Sequence, residues 1–272
     1  MSFWKKKKSN KYDFQDEDSE PIFWWIVAGL FMLGLIFYMT VNAQAQTITK
    51  VYAKDGLTNY RVRIDGAQPT QLLPCDIYYC GGGFVSQNWA VCNTWAAMSV
   101  ANGRISCKVS YPTSWFPSNA AANKGIDYAM RAVAYMKLHA KEYGIDTNKI
   151  YLWGTSAGGF CALGVYQHKV RVAGICNAWG GVLQLSYLTQ NNIPTINIGT
   201  VEDKIVPPNC GNAFGVSCCG QNAVYNEQLR LGIKTEQWMI DGYGHGMSPK
   251  DLEYNWRIKH CFDLTLQFFS SL

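Results

Sequence analysis

The pentapeptide Gly154-Thr155-Ser156-Ala157-Gly158 is the first place in this chain where residue types and spacing suggest chemistry. It falls between the apolar run Ile150-Tyr151-Leu152-Trp153 and a stretch of small and apolar residues that reads as a helix. Two glycines flanking a serine at a strand-to-helix turn permit a sharp bend that lifts the hydroxyl clear of the backbone. The same pentapeptide also occurs in ordinary Gly-rich turns, so the flanks carry the argument. A serine hydroxyl attacks an acyl carbon only when a base takes its proton. His245, in Gly242-Tyr243-Gly244-His245-Gly246 after a strand-like run, sits in a flexible loop suited to that task. His139, His168 and His260 fall within or at the ends of helical patterns and read as solvated or core histidines. A carboxylate must orient the imidazole, and Asp203 follows the strand-like run Thr195–Ile198. Its neighbour Glu202 is the competing acid. The oxygen of a tetrahedral intermediate needs hydrogen-bond donors. Gly81-Gly82-Gly83 after an early strand offers bare N–H groups, and Ala157 offers the N–H next to the serine.

The elements that would position these residues alternate. Thr47–Ala53 and Tyr60–Ile64 read as an opening hairpin on a sheet edge, followed by a strand at Asp76–Tyr79. A helix is expected over Asn88–Asn102, a strand over Arg104–Tyr111 and a long helix over Asn119–Tyr143, closed by Gly144. Then come strand Lys149–Trp153, helix Ala157–His168, strands Val172–Cys176 and Thr195–Ile198, helix Gln221–Leu231, strand Thr235–Ile240 and a helix from about Asp251 to Phe269. Strands alternating with helices of this length predict a mostly parallel, doubly wound sheet with helices on both faces. About eighteen residues separate Cys176 from Thr195, too few for a lid domain.

The chain resembles the α/β-hydrolase carboxylesterases. It is similar in particular to compact bacterial feruloyl and acetyl-xylan esterases and to the hormone-sensitive-lipase group. The resemblance runs from about Leu73 to His245. It rests on the Ser156 pentapeptide, Tyr143-Gly144-Ile145-Asp146-Thr147-Asn148-Lys149-Ile150, Gly199-Thr200-x-x-Asp203-x-x-Val206-Pro207, and Gly244-His245-Gly246. The chain order Ser156, Asp203, His245 is that of the fold family. The resemblance implies an α/β-hydrolase fold without a lid domain. It implies Ser156 as nucleophile, His245 as base, Asp203 as its orienter, and Gly82, Gly83 and Ala157 as oxyanion donors. One departure stands out: Cys80 occupies the place where the family's His-Gly-Gly-Gly motif has its histidine. That histidine supports the loop rather than reacting, and Cys80 reads as structural.

The rest of the chain bounds the setting. Apolar residues make up 48% and charged residues 16%, which excludes disorder over most of the length. Residues 1–45 carry five lysines and five acids, so the net charge of +5 falls on residues 46–272, where it is scattered. No nucleic-acid binding is expected from such a distribution. Residues 1–21 read as a cytoplasmic polar segment, opened by Lys5-Lys6-Lys7-Lys8. Ile22 to Val41 is free of charge, about 30 Å as a helix and long enough to span a bilayer. Residues 22–42 thus read as a signal anchor, with the basic cluster inside and membrane contact through 22–41. Ala43-Gln44-Ala45 has the form of a signal-peptidase site, and cleavage after Ala45 would make the protein secreted. Either way the domain 46–272 is expected outside the cytoplasm, periplasmic or extracellular.

All ten cysteines lie beyond the apolar run, as expected of a disulfide-permissive compartment. Cys210, Cys218 and Cys219 form the cluster from which a loop-closing disulfide is expected, in a Gly-rich segment, Pro208–Gly220, that would otherwise be mobile. No Cys-x-x-Cys or Cys/His spacing suggests a metal, and no cofactor is implied. Trp89, Trp115 and Phe116 are candidates for an exposed sugar platform, with core packing as the ordinary alternative. The expected substrate is therefore an ester, either small or polysaccharide-borne with acetyl or feruloyl groups. A serine peptidase or amidase of the same fold is the alternative enzyme. An inactive hydrolase-like binding module is the reading from outside enzymes, and Cys80 is its only support.

Overall fold

The computed structural model describes residues 46–246 and 253–272. The polar segment 1–21, the apolar run 22–42 and the cleavage point after Ala45 lie outside the described residues. Among the described residues no helix is long and apolar enough to cross a membrane.

The elements run in the order β1 (Gln46–Asp55), β2 (Thr58–Ala67), β3 (Leu73–Tyr79), α1 (Ala90–Ala101), β4 (Ile105–Val109), α2 (Asn119–Leu138) and α3 (Ala140–Tyr143). They continue with β5 (Ile145–Thr155), α4 (Ala157–His168), β6 (Gly174–Ala178), β7 (Gly181–Val182), a 3-10 turn at Leu185–Gln190 and β8 (Thr195–Thr200). The last are β9 (Cys210–Ala213), β10 (Val216–Gly220), α5 (Gln221–Arg230), β11 (Thr235–Ile240) and α6 (Tyr254–Ser270). Eight strands form one sheet in the order β1-β2-β4-β3-β5-β6-β8-β11. β1 and β2 form the expected antiparallel edge hairpin, β2 meets β4 antiparallel, and the remaining pairs are parallel.

The central strands are apolar runs because both of their faces are covered. β6 and β8 are buried along their whole lengths. On one face α1 packs against α6, and the Trp95 indole N–H donates to the Ile258 carbonyl at 2.9 Å. Trp153, from β5, stacks on Phe262 in this layer, with ring centroids 5.3 Å apart. On the other face α2 crosses α4, where Gly164 leaves room for Ile126. Much of the aromatic content is therefore core.

This strand order has a switch point. The chain leaves β3 toward β4 on one side and returns to β5 on the other, so the loops after β3 and β5 meet at the strands' C-terminal ends. Such crevices are where open α/β sheets bind ligands.

Two expectations fail in detail. The helix expected over Asn119–Tyr143 is interrupted at His139, whose ring pairs with Glu142 at 2.9 Å, so that Ala140–Tyr143 forms a separate turn. Gly144 then closes it in the left-handed conformation, φ 75°. Pro208–Gly220, read as a loop in the sequence, holds two strands as well as the expected disulfide, Cys210–Cys219. β9 and β10 form a hairpin, and β10 pairs with β7 to make a second, three-stranded sheet.

Candidate active site

Ser156 stands at the end of β5 and at the cap of α4, with φ 53° and ψ −121°. A non-glycine residue seldom holds this conformation unless its surroundings enforce it. Here the enforcement comes from close backbone packing. A Cβ at Gly154 would collide with the Gly158 carbonyl, and one at Gly158 with the Tyr79 carbonyl. The Ser156 N–H donates to the Ala178 carbonyl at 2.8 Å, and its own carbonyl accepts from the Gly159 N–H at 2.8 Å. The elbow is thus fastened to β3 and β6 at once.

His245 comes from the loop after β11. Its Nε2 lies 2.7 Å from Ser156 Oγ, and its Nδ1 lies 2.8 Å from Asp203 Oδ2. With the proton on Nδ1, that nitrogen donates to the carboxylate and Nε2 accepts from the serine hydroxyl. The other carboxylate oxygen of Asp203 accepts from the backbone N–H groups of Ile205 and Val206, at 2.8 and 2.9 Å. The Asp203 side chain has 0% exposure, so its charge is held by these donors and the imidazole rather than by water. Glu202 takes a different part: its carboxylate accepts the Gly242 N–H at 3.1 Å and ties down the histidine loop. Thr200, whose hydroxyl donates to the Gly244 carbonyl, fastens the same loop. Thr200 stands in the motif Gly199-Thr200-x-x-Asp203, but nothing in the sequence analysis gives it this role.

The glycine loop after β3 approaches from the other side. A Cβ at Gly81 would stand 3.2 Å from the Ser156 Cβ. Gly82 and Gly83 have φ of 129° and 61°, values that L side chains resist. The Gly82 carbonyl accepts from Val85 and Ser86, both at 3.0 Å. Among the described residues the N–H groups of Gly82, Gly83 and Ala157 have no hydrogen-bond partner. The Ala157 N–H opens α4, where the unpaired amides of a helix N-terminus favour negative charge. Cys80 is buried, and burial pushes its thiol well up, so it is no second nucleophile. The support a histidine would give comes instead from Tyr111, whose hydroxyl donates to the Cys80 carbonyl at 2.6 Å, and from Asn88, whose N–H donates to the Gly81 carbonyl at 2.8 Å.

Of the three clustered cysteines, Cys210 bonds Cys219 across the β9–β10 hairpin, and Cys218 is free and buried. Trp115 and Phe116 are 93% and 78% exposed beside Pro117, which lines the crevice at Ser156. Trp89 does not join them. It is half-buried against the core and lines a separate groove with Arg61 and Arg63.

The family model BD-FAE matches residues 65–178, which hold the glycine loop and the serine elbow. Solved structures match over far more of the chain. An α/β hydrolase, MGS-M1, from a Medee basin deep-sea metagenome superposes with a TM-score of 0.66 at 17% identity, covering 84% of this chain and 98% of that one. The chain has the α/β-hydrolase fold. Another match is esterase 2 of Thermogutta terrifontis in its propionate-bound form, with a TM-score of 0.65 at 16% identity over 84% of this chain and 94% of that one. That esterase has also been solved phosphorylated by paraoxon. A curated relative, the AB hydrolase superfamily protein C1039.03 of Schizosaccharomyces pombe, is 32% identical over 125 residues, 44% of this chain. Those residues amount to 35% of the relative, so the chain matches about a third of its length.

Proposed function

We propose that this chain is a serine carboxylic-ester hydrolase working through an acyl-enzyme. The observation that carries the reading is the unbroken hydrogen-bond chain from Ser156 Oγ through His245 to Asp203. Ser156 attacks the ester carbonyl as His245 Nε2 takes its proton. The oxygen that gains charge is received by the N–H groups of Gly82, Gly83 and Ala157. His245 then gives the proton to the departing alcohol, and a water, deprotonated by the same nitrogen, releases the acid. Asp203 holds the imidazole in the tautomer this cycle needs and stabilises its cationic form. The match to BD-FAE and the likeness to an esterase that reacts with paraoxon support this chemistry over that of an inert binding module.

Glycan-borne esters are the substrates we favour. The crevice at Ser156 is open, and Trp115 and Phe116 present exposed rings beside it, on which sugar faces can stack. We place the domain outside the cytoplasm, held at the membrane by residues 22–41 or released by cleavage after Ala45. One disulfide supports an oxidising compartment.

The test is a panel of p-nitrophenyl esters, acetylated and feruloylated oligosaccharides and peptide anilides. Ester turnover that Ser156→Ala abolishes, with anilides at least a thousandfold slower, is expected. Anilides cleaved as fast as esters would favour the peptidase reading.

A further inference from the structure

Two cavities share Ser156, and they differ in size and in what reaches them. One is an apolar recess of about 40 Å³ lined by Phe84, Ala157, Phe160, Val206 and Phe214 among others. The other is a cleft of about 500 Å³ that includes His245, Trp179 and Tyr254. Acid–base chemistry assigns them. The leaving oxygen must be within reach of His245 to collect its proton, so the alcohol belongs in the cleft. The acyl group then lies in the recess, which His245 does not line. At roughly 10–15 Å³ for each water-sized group, the recess has room for about three of them, the scale of a two- or three-carbon acyl group.

Phe214 borders both cavities. It sits at the tip of the β9–β10 hairpin, where Ala213 pairs with Val216 across a two-residue turn. Phe214 has φ 50° and Gly215 φ 92°, so both central residues are left-handed. Such turns ordinarily take Asn, Asp or Gly at the first position, and a bulky side chain is disfavoured there. The ring is also 65% exposed. An exposed apolar ring on a disfavoured backbone serves neither the turn nor the core. Local rules broken in this way point to function.

The hairpin keeps the ring in place. The Cys210–Cys219 bond closes its base, the Gly215 N–H donates to Asn212 Oδ1 at 2.7 Å, and the Ser217 N–H donates to Asn119 Oδ1 at 3.0 Å. We propose that Phe214 is the specificity-determining residue that closes the outer end of the acyl recess. It admits acetyl and propionyl groups and excludes longer chains and phenylpropenoyl acids. The proposal rests on the serine-esterase reading and selects the acetyl over the feruloyl class within it.

The full chain, kept in detergent, is assayed on p-nitrophenyl acetate, butyrate and octanoate and on methyl ferulate, as wild type, Phe214→Ala and Phe214→Asn. Asn suits the turn, so that variant remains informative should the Ala variant fail to fold. In the wild type, kcat/KM is expected to fall at least tenfold from acetate to butyrate and further to octanoate. Both variants should raise the octanoate-to-acetate ratio at least tenfold. A ratio within twofold of wild type in a folded variant overturns the proposal while leaving the esterase reading standing. A wild type that hydrolyses no ester removes both.

Discussion

The serine elbow and the β9–β10 hairpin each hold a non-glycine residue in the left-handed region, Ser156 at φ 53° and Phe214 at φ 50°. Their means differ. At the elbow, Gly154 and Gly158 bring backbone against backbone within the centre of the sheet, so Ser156 cannot relax without moving β3, α4 and β6. At the hairpin, the restraint is peripheral: one disulfide, two side-chain acceptors and a short pairing with β7. The lesson is one of rigidity. A nucleophile that must be placed within tenths of an ångström is built into the core. A wall that selects among substrates needs only a local brace.

The largest effect should come from the elbow's own chemistry. Ser156→Ala and His245→Ala should each lower kcat by about 10⁴–10⁶-fold, since nucleophile and base act as a unit. Asp203→Asn should cost about 10⁴-fold by favouring the wrong tautomer. Glu202→Gln, which keeps an acceptor for Gly242, should leave kcat within about threefold. A silent Asp203→Asn beside an inactive Glu202→Gln would reverse the assignment of the acid.

The comparison sharpens where packing alone is changed. Gly158→Ala puts a methyl group into the Tyr79 carbonyl and should destabilise the domain by roughly 3–5 kcal/mol, read from denaturant unfolding. Reducing Cys210–Cys219 should be milder. Closing a loop of that size stabilises by about 2–3 kcal/mol at most in the chain-entropy model. The sheet does not depend on it, so melting should stay cooperative while KM for short esters rises. The remaining thiols make this readable. Burial pushes Cys92 and Cys176 up to about 12 and Cys218 up to about 11. All eight free cysteines are buried, which keeps reagent from them in the folded domain, so alkylation at pH 8 after mild reduction should mark Cys210 and Cys219 alone. Loss of the whole fold on reduction would mean that the hairpin belongs to the core.

How much the sequence reveals depends on how local each signal is. Ser156 is legible because strand, turn and helix are contiguous, and the spacing of two glycines states the backbone conformation directly. His245 and Asp203 are legible as loop residues after strand-like runs. Strand position alone leaves Asp203 and Glu202 as competitors; the family motif favours Asp203, and in the fold its carboxylate faces the imidazole while that of Glu202 faces the Gly242 amide. The hairpin is hidden for two reasons. Its partner Gly181–Val182 lies far back in the chain, and Phe-Gly is not a pair that signals a tight turn. Trp89 is hard to place because an aromatic residue before a helix suits a surface or a core equally, and packing decides it. Tyr111 takes over the support expected of a histidine at position 80, which no local pattern around Cys80 shows.

The central claim is that Ser156 is the nucleophile His245 activates, and active-site labelling tests it most directly. The full chain is incubated with a fluorophosphonate probe, digested and mapped by mass spectrometry. The account predicts one stoichiometric adduct, on Ser156, formed at least a hundredfold more slowly in His245→Ala. An adduct on another residue, or labelling of Ser156 at the same rate without His245, would contradict it.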